Sequence, residues 1–186
     1  LLCWVAFDRA IKISKLIEGG KSAAKCVSLR EEIHSDIMEN AWNEEKQAFT
    51  QSYQSEHLDA SVLLMEYYGF IKSKDPKYVK TVKAIEKELM HNGLLYRYKN
   101  EDDFGLPSSS FTVCTFWFIN SLYKIGEEVK AKALFNKLLS YSNHLGLFSE
   151  DIDFNSKRLL GNFPQAYSHL ALIDNALNFN EQLNNS

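Results

Sequence analysis

Three carboxylates stand close together at Glu150, Asp151 and Asp153, in a connection of about 19 residues joining one helical pattern to the next; a connection longer than packing requires is often functional. A carboxylate held in such a loop can take a proton from water or accept a hydroxyl group. Crowding disfavours ionising all three, so Asp151 or Asp153 could share a role centred on Glu150. By itself such a cluster reads as a solvated loop face, and a working site needs further groups beside it. Arg97 lies between Tyr96 and Tyr98, and Asp59 opens Asp59-Ala-Ser, where it is placed to cap a helix or to meet a ligand. Tyr167 stands near the start of another helix, with His169 one turn inside as a satisfied core histidine.

The elements that must position these groups are helical. Seven segments alternate in character. Residues 1–17, 58–71, 110–125 and 163–179 are apolar on most sides and read as inner helices; residues 22–41, 75–91 and 127–142 carry one charged face and read as outer ones. Outer patterns include Val79, Val82, Ile85 and Leu89, and Ala131, Leu134 and Leu138. Inner-to-outer connections take about five residues or fewer, outer-to-inner ones roughly 16 to 20, which marks a repeat with elaborated loops on one face. Because helical hairpins alternate direction, the long loops at 42–57, 92–109 and 143–162 gather on one rim. Each opens on a strand-like apolar piece, Ala48-Phe-Thr-Gln-Ser-Tyr, Gly93-Leu-Leu-Tyr-Arg-Tyr and Gly146-Leu-Phe-Ser-Glu-Asp, and each leads to a small or polar helix start. The rim is thereby expected to present Tyr53, Tyr96, Arg97, Tyr98, Phe104, Phe148 and Tyr167 with the acids. Aromatic faces beside hydrogen-bonding arginine and carboxylates suit a concave site for a polyhydroxylated ligand.

Composition narrows the partners. With 186 residues, 45% apolar, the chain fits one globular domain or a large piece of one. A net charge of −3 with scattered basic residues leaves no footprint for nucleic acid and no polybasic membrane patch. The longest apolar runs fall short of the ~20 residues of a membrane span, and residues 1–7 have no basic lead of a signal peptide. Cys3, Cys26 and Cys114 are odd in number and sit in apolar helical patterns, which reads as buried free thiols and a cytoplasmic protein. The five histidines have no paired spacing, so neither metal nor cofactor is expected. The chain opens within a helical pattern without Met or cap, so an upstream part of the same protein is an expected partner.

Read in order, Leu2-Cys-Trp-Val-Ala-Phe-Asp-Arg-Ala, Ala48-Phe-Thr-Gln-Ser-Tyr with Leu58-Asp-Ala-Ser, Leu95-Tyr-Arg-Tyr with Phe111-Thr-Val-Cys-Thr-Phe-Trp, and Leu147-Phe-Ser-Glu-Asp-Ile-Asp with Leu160-Gly-Asn-Phe-Pro-Gln-Ala-Tyr-Ser-His-Leu-Ala-Leu resemble the C-terminal half of glycoside hydrolase family 15. That family holds glucoamylases, glucodextranases and a bacterial trehalase branch. The resemblance implies an all-α (α/α)6 barrel, of which residues 1–186 supply about seven helices as the C-terminal half of a catalytic domain. It further implies inverting, exo-acting hydrolysis of an α-glucoside or oligosaccharide, malto-, isomalto- or trehalose-like, by two carboxylic groups roughly 6.5–9.5 Å apart. Glu150 falls where the family's general base stands. The general acid belongs to a Trp-Glu motif that would precede Leu1. Arg97 resembles the family's clamp on glucose hydroxyls, with Tyr98 and Trp117 beside that subsite, and Asp59 and Tyr167 are carried as further substrate contacts. Ser108-Ser-Ser departs from the acidic residue and glycine of related sequences, which leaves substrate preference open. A non-catalytic toroid that keeps the scaffold as a carbohydrate-binding or interaction module is the competing expectation.

Overall fold

The computed structural model describes residues 1–18, 23–103 and 105–181. Among them are seven helices: α1 (Leu2–Glu18), α2 (Ala24–Asn40), α3 (Leu64–Tyr67), α4 (Pro76–Leu89), α5 (Thr112–Ile125), α6 (Glu128–Leu139) and α7 (Ala166–Glu181). Phe104 and most of the expected connection at 18–21 lie outside the described residues.

Local chemistry sets the helix ends. Asp75 caps α4 by accepting the Lys77 N–H at 2.8 Å, and Pro76 follows at the first position, where a missing N–H costs nothing. The buried stripe of α4 is Tyr78, Val82, Ile85 and Leu89, one face of a helix. α5 is buried along almost its whole length and stops at Gly126, whose φ of 97° lets its N–H turn back to the Leu122 carbonyl. α5 packs on α6 and α7, and α1 on α2. The core gathers around Tyr78, Phe116, Phe118, Ile119 and Phe148.

Two inner segments depart from expectation. Residues 58–71 do not form one helix. They fold as a 3-10 turn (Ala60–Leu63) and the single turn of α3, then reverse through Gly69 at φ 79°, with the Phe70 N–H returning to the Met65 carbonyl. The buried Tyr78 hydroxyl donates to the Leu63 carbonyl at 2.9 Å, so tertiary packing claims a backbone acceptor in this segment. α1 and α7 form as expected but are not enclosed. Ile13, Leu16 and Ile17 on α1, and Leu170, Ile173 and Leu177 on α7, face outward, the last three 61%, 50% and 58% exposed.

The long connections carry short strands. β1 (Trp42–Asn43) pairs with β2 (Ala48–Phe49), and β3 (Met90–His91) with β4 (Leu94–Leu95), both antiparallel. β5 (Ser109–Phe111), β6 (Asp151–Asp153) and β7 (Leu159–Leu160) form an antiparallel sheet in that order, with Phe111 opposite Asp151 and Asp151 opposite Leu160. The third strand-like piece is therefore displaced: pairing begins at Asp151, and residues 147–150 run outside the ladder.

Candidate functional site

Glu150 sits at the junction of this sheet with α5 and α7. Its N–H donates to the Asn162 carbonyl at 2.8 Å, and its carbonyl accepts the Thr112 N–H at 2.9 Å, using one of the unpaired donors at the start of α5. The side chain is fixed as firmly. Oε2 accepts the Asn162 backbone N–H at 3.2 Å and the Asn162 Nδ2 at 2.9 Å. Beneath it lies Gly161 at φ 72°, where a Cβ would come within 2.9 Å of Oε2. Two donors on one oxygen orient the carboxylate.

Glu150 opens onto a hollow of about 540 Å³, shared with Arg97, Tyr98, Ser109, Phe111 and Asp151. Arg97 is brought there by β4. The Leu95 N–H donates to Thr115 Oγ1 at 3.0 Å, the Leu95 carbonyl accepts from Ser110 Oγ at 2.9 Å, and the Arg97 carbonyl accepts the Ala60 N–H at 2.7 Å. Its guanidinium lies 5.6 Å from the Tyr98 ring centre, and Nε is 3.6 Å from Asp59 Oδ2. Asp59 is buried, and its other oxygen caps the 3-10 turn by accepting the Ser61 N–H at 2.7 Å. The capping expectation is met, and the same carboxylate aims Arg97; Asp59 itself is not on the wall of the hollow.

The remaining acids separate by environment. Burial raises the Asp151 carboxyl above its ordinary value, against a hydrogen bond from Ser109 that lowers it, while the neighbouring Glu150 charge raises it further. Asp153 turns away. It accepts from Asn155 N–H, Ser156 N–H and the Ser156 hydroxyl, which hold it below its ordinary value. Tyr98 donates its hydroxyl to Asp102, a bond that, with burial, keeps the phenol protonated further into the alkaline range.

The expected aromatic rim is only partly assembled. Tyr53 bonds Asp36 on α2, Tyr96 stacks on Phe154 at 4.0 Å, and Phe148 is fully buried in the core. Tyr96 and its neighbour Arg97 face opposite ways, as successive side chains of an extended chain do. Trp117 and Tyr167, edge to face at 5.8 Å, line a second hollow of about 160 Å³ between α5 and α7 with Tyr67 and Tyr68. Phe111, on the wall of the first hollow, lies 6.2 Å from Tyr167, so the two hollows adjoin.

Sequence reasoning missed Asn162, Gly161 and Ser109. A signal for the first two was present, since Gly-Asn follows the second strand of the hairpin that begins beside Glu150. The three cysteines are free, but only Cys114 is buried; Cys3 is exposed and Cys26 half-buried, because α1 and α2 are open on one side. No His, Cys, Asp or Glu cluster among the described residues could hold a metal ion. No helix among them is long and apolar enough to cross a membrane.

The chain is 43% identical over 178 residues to a trehalase of Mycobacterium tuberculosis, covering 94% of this chain and 26% of that protein. It is 38% identical over 184 residues to a trehalase of Thermoplasma volcanium, covering 98% of this chain and 30% of that protein. It thus spans under a third of these relatives' length. A solved wild-type glycosidase superposes with a TM-score of 0.68 at 16% identity, over 85% of this chain and 46% of that one, and shares its fold. The seven helices are accordingly an arc of an (α/α)6 toroid. Residues 1–177 match the family Glycosyl hydrolases family 15, and the chain belongs to that family.

Proposed function

We propose that residues 1–186 are the C-terminal part of the catalytic domain of an inverting, exo-acting α-glucoside hydrolase, with trehalose as its first-choice substrate. The observation that carries this reading is Glu150, tied by Asn162 on Oε2 and opening onto a hollow shared with Arg97. Glu150 takes a proton from water as the water oxygen attacks the anomeric carbon, and the glycosidic C–O bond breaks. A general acid from the remaining, N-terminal part of the protein gives its proton to the leaving oxygen. Arg97 has five N–H donors in a planar fork, of which one faces Asp59, and the others suit paired hydroxyls of a glucose unit. The trehalase names of the relatives favour trehalose over malto- or isomalto-oligosaccharides.

The same remaining part is the proposed cover for the outward apolar residues of α1 and α7, whose area is of the kind that marks an interaction surface. Three free thiols support a cytoplasmic location. The chemistry uses carboxylates and water and calls for no cofactor.

The test is the full-length protein, wild type and Glu150→Gln, assayed on trehalose, maltose, isomaltose and dextrin. Turnover of trehalose that falls roughly 10²–10⁴-fold with binding retained supports the base role. Unchanged turnover removes it, and wild-type preference for maltose or dextrin would reassign the substrate.

A further inference from the structure

We infer that His169 is the positioning residue for Glu150, acting through the backbone of Phe148; the inference rests on the reading of Glu150 as the base. The Phe148 N–H donates to His169 Nε2 at 3.2 Å, while His169 Nδ1 lies 2.7 Å from the Gln165 carbonyl. A backbone N–H can only donate and a backbone carbonyl can only accept, so the imidazole carries its proton on Nδ1 and offers its lone pair at Nε2. The Gln165 N–H closes the circuit by donating to the Phe148 carbonyl at 2.9 Å. Both polar groups of Phe148 are thus satisfied by the start of α7. The next residue is held too, since the buried Ser168 hydroxyl donates to the Ser149 carbonyl at 3.0 Å. This segment lies outside the sheet ladder, so side chains of α7 do for it what strand pairing does for β6.

The same device occurs at Arg97, which argues for positioning rather than chance satisfaction of a buried donor. Thr115, the fourth residue of α5, accepts the N–H of Leu95, and Arg97 follows two residues later. His169, the fourth residue of α7, accepts the N–H of Phe148, and Glu150 follows two residues later. In both repeats an inner helix grips the connection at one residue and the chemistry projects from the second one on. Two extended residues reach about 7 Å, so Phe148 is a further anchor of this stretch beside the Asn162 and Thr112 bonds of Glu150, and loosening it lets the carboxylate drift by up to about an ångström. Displacement on that scale can cost up to about a hundredfold in rate.

The experiment uses the full-length protein hydrolysing trehalose, with His169→Phe, His169→Asn and His169→Gln. Phe removes the acceptor, Asn is too short to reach the Phe148 N–H, and Gln can present its Oε1 there. The expected result is a kcat about tenfold lower or more for Phe and Asn with KM within about twofold of wild type, and recovery of most of kcat in Gln. A second arm uses Glu150→Ala supplied with azide. Azide needs no proton removed: its nitrogen bonds to the anomeric carbon as the C–O bond breaks, and the acid protonates the leaving oxygen. There, adding His169→Phe should leave the azide-supported rate within about twofold, because the group being positioned is gone. Wild-type kcat in His169→Asn, or an equal fall of the azide-supported rate on adding His169→Phe, would overturn the inference. If His169→Phe fails to fold, Asn and Gln decide. Undiminished turnover in Glu150→Ala without azide would instead sink the base assignment.

Discussion

Asn162 and Glu150 are joined three times: backbone to backbone at 2.8 Å, and on Oε2 by the Asn162 N–H at 3.2 Å and Nδ2 at 2.9 Å. Both side-chain hydrogen bonds from Asn162 fall on one oxygen, Oε2, so Asn162 leaves Oε1 unengaged.

Asn162→Ala removes the Nδ2 bond and leaves the backbone pair. In the full-length protein kcat should fall about tenfold with KM little changed, since orientation of the base matters in the transition state more than in substrate binding. Steady-state kinetics on trehalose checks this, and a change confined to KM would contradict it.

Gly161→Ala meets two penalties at once. The left-handed φ of 72° disfavours a side chain by roughly 1–2 kcal/mol, and the new Cβ would stand 2.9 Å from Glu150 Oε2 and 3.2 Å from its Cβ. Both a lower midpoint in thermal unfolding and a lower kcat are expected. A variant with native kcat would show that the carboxylate can move aside at no cost to turnover.

Asp59 has two roles that substitution can separate. Asn caps as well as Asp, so Asp59→Asn should keep stability close to wild type while weakening the hold on Arg97 and raising KM. Asp59→Ala loses both and should also cost about 1 kcal/mol in denaturant unfolding. Equal KM values for wild type and Asp59→Asn would remove Asp59 from the positioning of Arg97.

Two acids, the buried Asp8 and the half-buried Asp151, should pull stability in opposite directions with pH. Burial raises Asp8, but hydrogen bonds and charge from Lys12 and Arg9 outweigh it and hold the carboxyl below its ordinary 3.8. The unfolded chain then binds the proton more readily, so this stabilisation is present above about pH 4 and is lost as pH falls through the folded value. Asp151 is raised, so the folded chain binds the proton more readily and stability falls as pH rises through its folded value. Urea unfolding at a series of pH values should show Asp8→Asn approaching wild type in acid and weaker at neutral pH. Asp151→Asn should lose less than wild type on going from pH 4 to neutral. The reverse order would refute both assignments.

The helices outside residues 58–71 and the two residues that meet at the hollow, Glu150 and Arg97, were legible in the sequence. Periodicity and loop length report which face a helix buries, and Glu150 and Arg97 stand in long connections, just before β6 and just after β4. The sequence likewise named Asp59 as a cap, since capping depends on neighbours two residues away. Tertiary structure decided the rest. Residues 58–71 carry a helical pattern, but Tyr78 and the reversal at Gly69 break it into a 3-10 turn and one helical turn. Tyr53, Tyr96 and Phe148 lie in the right loops and point elsewhere, because composition of a loop does not give side-chain direction. Asn162 meets Glu150 from 12 residues away, and His169 meets Phe148 from 21 away. Such contacts depend on how a hairpin closes and where a helix begins, and hydrogen bonds between distant residues leave no periodic trace in the chain that makes them.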